Sequence, residues 1–117
     1  MTHLAAVAAR RLDGYDAALV ETHHKKKKDS PSGTALRLAQ AVMEGRRDKR
    51  PVPTASLRLG SVVGDHTLLF AGPFEVLELS HRAESRDVFA QGALEAALWV
   101  SKKTSGLYDM MDFLGLR

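Results

Sequence analysis

The stretch ETHHKKKKDSPSGTALRLAQAV, residues 21–42, sets two histidines and four lysines directly ahead of a Ser-Pro-Ser-Gly-Thr turn and an apolar helical pattern. The residues leading into it, Asp16 to Thr22, are short and β-prone, which predicts a strand delivering His23 and His24 at its C-terminal end. Beyond the turn, apolar residues recur at helical spacing and predict a helix from about Thr34 to Met43. Ser32 is its N-cap, Leu36, Ala39 and Val42 or Met43 form its buried stripe, and Gly45 ends it.

Working outward, Thr2 to Leu12 reads as a helix with Leu4, Val7, Ala8 and Leu12 on one side and Gly14 as its stop. After the basic loop RRDKRPVPTA come strand-like stretches at Ala55 to Leu59, Thr67 to Phe70 and Phe74 to Ala83. Gly72-Pro73 is the hairpin turn between the last two, and Gly60 to Asp65 is a connection. Ser85 caps a longer helix, Asp87 to Lys102, carrying Phe89, Leu94, Leu98 and Trp99. Gly106 closes that helix ahead of a short apolar tail. The order α-β-α, β-β-β, α predicts an α+β fold: one mixed sheet of about four strands backed by helices.

The chain has 117 residues, enough for one domain, and its hydrophobic fraction of 44% supports a core. Aromatics make up only 6%, so Leu, Val and Ala must carry that core. With no cysteine, disulfides and thiolate metal sites are excluded. No apolar run approaches the roughly 18 residues of a membrane span, and the first residues resemble neither a secretory nor a transit leader. A cytoplasmic chain without membrane partners is expected. The net charge of +3 and pI near 9.4 favour an anionic partner, and much of the excess lies in Lys25 to Lys28 and Arg46 to Arg50.

The opening stretch carries the chemistry. In an extended strand His23, Lys25 and Lys27 share one side, with His23 and Lys27 ~13 Å apart at ~3.3 Å per residue. They converge on one small molecule only if the chain bends after the histidines, and Asp29 and Pro31 favour a bend. A helix starting Ser-Gly-Thr presents unpaired N–H groups, a positive dipole end and a hydroxyl. Gly33 has no Cβ to keep a ligand off the backbone. Such a start takes a carboxylate or phosphate, while lysine and histidine neutralise a second anionic group and exchange protons.

Blander readings fit the same residues. Four lysines also describe a solvated loop or a polyanion contact, paired histidines a surface, and Ser-Gly-Thr simple capping. A metal site is not expected, because the histidines project to opposite faces and only Glu21 and Asp29 are near. Nucleic acid is not expected either, because no aromatics interleave with the lysines. His66 and His81, in strand-like stretches, fit satisfied structural histidines. On pattern alone the chain reads as an anion-binding domain.

The spacing H-H-x-x-K-x-D-x-P-S-G-T-A, from His23 to Ala35, resembles the substrate-site motif of the dihydrodipicolinate reductase family. The resemblance continues through Arg58, Gly60, Gly64, His66, Thr67, Phe70, Glu78, His81, Arg86, Phe89 and Gly92, spanning almost the whole chain. It implies an NADPH- or NADH-dependent oxidoreductase that reduces a cyclic dicarboxylate in lysine and diaminopimelate biosynthesis. By position, it implies His23 as the catalytic proton donor or acceptor and Lys27 as the second proton donor, near the ring nitrogen. His24, Gly33 and Thr34 are implied as substrate-binding, with Gly33 and Thr34 holding one carboxylate, and Arg86 as a possible helper near the cofactor. It also implies a homo-oligomer, a tetramer in the family.

Two departures stand out. Ser30 replaces a common alanine, a small change in the turn. More consequentially, family members begin with a Rossmann-type nucleotide-binding domain opened by a glycine-rich turn, whereas no two glycines here are separated by one residue. Residues 1–117 are therefore expected to be the substrate-binding and oligomerisation domain alone, with no cofactor-binding residues, and not competent in turnover by itself. A non-catalytic dicarboxylate-binding module and a basic polyanion-binding protein are the alternatives.

Overall fold

The computed structural model describes all 117 residues, as two compact units, Met1–Glu84 and Ser85–Arg117. In the first unit the elements run α1 (Thr2–Arg11), β1 (Asp16–His23), α2 (Gly33–Gly45), β2 (Thr54–Arg58), β3 (Gly64–Ala71) and β4 (Val76–Ala83). The strands form one sheet in the order β2-β1-β3-β4. β1 and β2 are parallel, with α2 supplying the crossover such a pair needs, and the pairs β1–β3 and β3–β4 are antiparallel. The expected mixed four-stranded sheet with helices is therefore present. β3 is longer than the Thr67–Phe70 core of its pattern, and β4 starts at Val76 because Phe74 and Glu75 belong to the hairpin turn, closed by Gly72 N–H donating to the Glu75 carbonyl at 2.9 Å.

Alternation along β1 buries Ala17, Leu19, Glu21 and His23 on one face, and β3 adds Gly64, His66, Leu68 and Phe70. α1 and α2 supply Ala5, Ala9, Ala35, Leu38, Ala41 and Val42 to the apolar part of that core. The helix stripes match the expected ones in part: Val42 is buried, and Ala8, Leu12, Ala39 and Met43 pack against the core. Leu36 is 57% exposed and Leu4 58% exposed, so neither faces the core. In α2 the phase is set by the cap: the Ser32 hydroxyl accepts the Ala35 N–H, turning Ala35, Leu38 and Val42 inward. In α1 small residues win because the two helices cross closely. A Cβ on Gly45 would stand 2.7 Å from the Ala6 carbonyl oxygen and 2.9 Å from the Ala9 Cβ, a gap only alanines allow.

The second unit holds α3 (Asp87–Val100) and α4 (Met110–Phe113). The N-cap position of α3 is Arg86, without a side-chain cap, rather than the expected Ser85, whose Oγ accepts the Asp87 N–H at 3.1 Å from one residue earlier. The Trp99 ring lies edge-on to Tyr108 and Phe113, with the Lys103 ammonium 4.5 Å above it. The tail contains a short helix that its composition did not announce, capped reciprocally by Asp109 and Asp112. No helix in the chain is long and apolar enough to cross a membrane.

Candidate functional site

The apolar core ends where β1 ends. Its last two inward positions are a carboxylate and an imidazole, Glu21 and His23, and strand register decides what surrounds them. Glu21 faces His66 across the β1–β3 ladder and Ser56 across β1–β2, while His23 faces Arg58. A fully buried carboxylate demands partners, and Glu21 has them. The Arg58 guanidinium grips both of its oxygens, at 3.0 and 3.1 Å. The Ser32 N–H donates to it at 3.3 Å, and His23 Nδ1 makes a short hydrogen bond to Oε2. Burial alone would push the Glu21 carboxyl up, but the hydrogen bonds from Arg58, His23 and the Ser32 amide, with the nearby Ser56 hydroxyl, outweigh it and hold the carboxyl at about 2. The Ser56 hydroxyl is buried opposite Glu21 without a partner in hydrogen-bonding geometry, so it acts on the carboxylate as a nearby dipole.

His66 completes the cluster. Its Nε2 is 3.1 Å from Ser32 Oγ, and its ring stands edge-on to His23 with centroids 5.1 Å apart. Burial pushes the His66 imidazolium down, a charge on His23 adds to that, and Glu21 opposes it. The structural reading of His66 holds, whereas His81 is exposed. Glu21, His23 and His66 each offer a ligand atom, all within 4.8 Å of one another. However, the guanidinium that engages both Glu21 oxygens repels a cation, so the donor set does not suit a metal ion.

Beyond His23 the chain bends. Lys25 N–H donates to the Gly60 carbonyl at 3.2 Å, and Lys27 N–H turns back onto the His24 carbonyl at 3.0 Å. His24 and Lys27 are half-buried, while Lys25, Lys26 and Lys28 are exposed. The Lys27 ammonium meets Asp29 at 2.8 Å, and that hydrogen bond holds the Asp29 carboxyl below its usual range. Arg58 also reaches the Asp29 carbonyl at 2.6 Å, joining the lysine loop to the buried cluster. The loop ends at Ser32, and α2 begins with Gly33 and Thr34 exposed and their N–H groups without a partner in the chain. A Cβ on Gly33 would meet nothing within 4 Å, so the approach to the helix start is open.

The profile of the family described as "Dihydrodipicolinate reductase, C-terminus" matches residues 1–114. The chain belongs to this family. The 4-hydroxy-tetrahydrodipicolinate reductase of Thiobacillus denitrificans is 51% identical over 97% of the chain and 50% of its own length. That of Syntrophus aciditrophicus is 45% identical over 100% of the chain and 51% of its own length. The solved structure of a dipicolinate-bound dihydrodipicolinate reductase from Paenisporosarcina sp. TG-14 superposes with a TM-score of 0.81 at 25% identity, covering 96% of this chain and 49% of that one. The chain thus spans about half the length of the relatives it matches, as a C-terminal reductase domain with the family fold.

The bend sets His24 and Lys27 on the loop that runs from His23, the last residue of β1, to Gly33 and Thr34 at the α2 start. Of the residues that hold this arrangement, Arg58 and His66 lie in the family resemblance without a role attached, and Glu21 belongs to no motif. Period-two alternation through Ala17, Leu19, Glu21 and His23 was the available signal for a buried carboxylate.

Proposed function

We propose that this chain is the substrate-binding and oligomerisation part of a 4-hydroxy-tetrahydrodipicolinate reductase, acting in lysine and diaminopimelate biosynthesis in the cytoplasm. The observation that carries it is the α2 start: two free, exposed N–H groups at the positive end of a helix, reached by a loop that leaves β1 at His23 and bears Lys27. Gly33 and Thr34 receive one carboxylate of a cyclic dicarboxylate, and His24 contacts the same ligand. Adding a hydride to the ring leaves negative charge on it, and a proton from His23 or Lys27 neutralises that charge. Asp29 keeps the Lys27 ammonium at the loop, and the remaining lysines draw the dianion in.

The nicotinamide carrier, NADPH or NADH, does not fit the residues present. The one strand–helix–strand crossover, β1-α2-β2, carries lysines and Pro31 between strand and helix where a phosphate turn needs closely spaced glycines. In this reading the dinucleotide is held by residues outside these 117. The second sheet face, where Leu57 is 50% and Val76 57% exposed, supports a homo-oligomer built on this domain, a tetramer in this reading.

Calorimetry with pyridine-2,6-dicarboxylate tests the assignment. Binding by the chain, weakened about tenfold in Thr34→Ala through loss of a hydrogen bond to a charged group, is expected. Equal affinity for a monocarboxylate of the same ring would refute a dicarboxylate site. The chain alone should not oxidise NADPH, and robust oxidation would refute the division of labour.

A further inference from the structure

The proposal that His23 handles the proton leaves open which ring nitrogen does so, and what fixes it. An imidazole on a sheet end can present either nitrogen, and only one geometry is productive. We propose that Glu21 is a positioning residue for His23: its buried carboxylate accepts the Nδ1–H, leaving Nε2 as the nitrogen that exchanges a proton with substrate.

Three observations support this. First, an ionised carboxylate only accepts hydrogen bonds, so its contact with Nδ1 requires the hydrogen to be on that nitrogen. Second, the carboxylate cannot turn away, because Arg58 holds both oxygens and the Ser32 amide holds one of them. Third, Nε2 has no hydrogen-bond partner within the chain and is not among its sealed, unpaired polar atoms, so it stays free for a ligand although the ring is largely buried. That nitrogen lies against the bare Cα of Gly64, where even a methyl group would stand 3.0 Å from it. The same carboxylate thus fixes the ring and, through Ser32, the start of α2, so the proton donor and the carboxylate receptor share one anchor.

The test is a long-range ¹⁵N–¹H correlation of the histidine rings in the 117-residue chain at pH 8, where an ordinary imidazole is neutral. Protonated Nδ1 and unprotonated Nε2 are expected for His23. A dominant Nε2–H form would overturn the proposal. In Glu21→Gln the ratio should shift by roughly tenfold toward Nε2–H, because a charge-assisted hydrogen bond is lost. An unchanged ratio in a folded Glu21→Gln chain would also overturn it, and if that variant fails to fold, the unsubstituted chain still decides. The inference rests on the proposed role of His23, and adding pyridine-2,6-dicarboxylate separates the two. An Nδ1–H ring whose signals ignore the ligand keeps the positioning role and removes the proton role. An Nε2–H ring that responds to it does the reverse.

Discussion

Ser32 Oγ lies 3.1 Å from His66 Nε2 and 3.2 Å from the Ala35 nitrogen, so one hydroxyl both caps α2 and ties it to β3. Ser32→Ala should therefore cost more than a surface cap. Losing the cap removes about 1 kcal/mol, and an unpaired buried imidazole nitrogen adds roughly 1–3 kcal/mol. Urea unfolding of the variant checks the sum. A loss no larger than the cap alone would show that His66 does not depend on Ser32.

Acid should weaken the fold in two stages. The folded His66 binds its proton less readily than a free histidine, so the unfolded chain takes up more protons once pH falls below the usual 6.5, and stability declines from there. Glu21, at about 2 in the fold against 4.5 unperturbed, contributes stability that is complete above 4.5 and is lost as pH falls toward 2. Unfolding free energies measured from pH 8 down to 3 should fall gently below 6.5 and more steeply below 4.5. A maximum at pH 5 would contradict this.

Arg58→Met removes the only guanidinium on Glu21 and leaves the carboxylate buried beside His23. Breaking one side of such a pair costs about 3–5 kcal/mol. The double change Arg58→Met with Glu21→Leu should recover part of that loss, because no buried charge remains unpaired. Equal stability of the single variant and the parent would disprove the dependence.

The helix crossing admits no extra atom at Gly45. Gly45→Ala would drive a methyl group to 2.7 Å from the Ala6 carbonyl oxygen, and overpacking of this kind costs about 1–3 kcal/mol. Thermal unfolding should show a lower midpoint, whereas a rise would mean that α1 and α2 separate freely.

Much of this arrangement was legible in the residues. Helix periodicity, the Ser32 cap and the glycine stops located both helices of the first unit, and the Ser-Pro-Ser-Gly-Thr turn located the exposed start of α2. The phase of each stripe was not legible, since choosing Ala5 and Ala9 over Leu4 and Val7 depends on how closely α1 meets Gly45. Nor was the buried cluster. Glu21, Arg58 and His66 are scattered over 46 positions, and only the register that sets Glu21 opposite His66 and His23 opposite Arg58 brings them together. Register depends on the whole sheet rather than on any local pattern.

The most direct test follows the backbone amides of the chain by ¹H–¹⁵N correlation during titration with pyridine-2,6-dicarboxylate at moderate salt. The Gly33 and Thr34 amides should show the largest shifts, as groups that gain a hydrogen bond to a carboxylate, together with those of His23 and His24. Shifts confined to Lys25–Lys28 that vanish as salt is raised would reduce the site to a loose cationic loop and contradict the account.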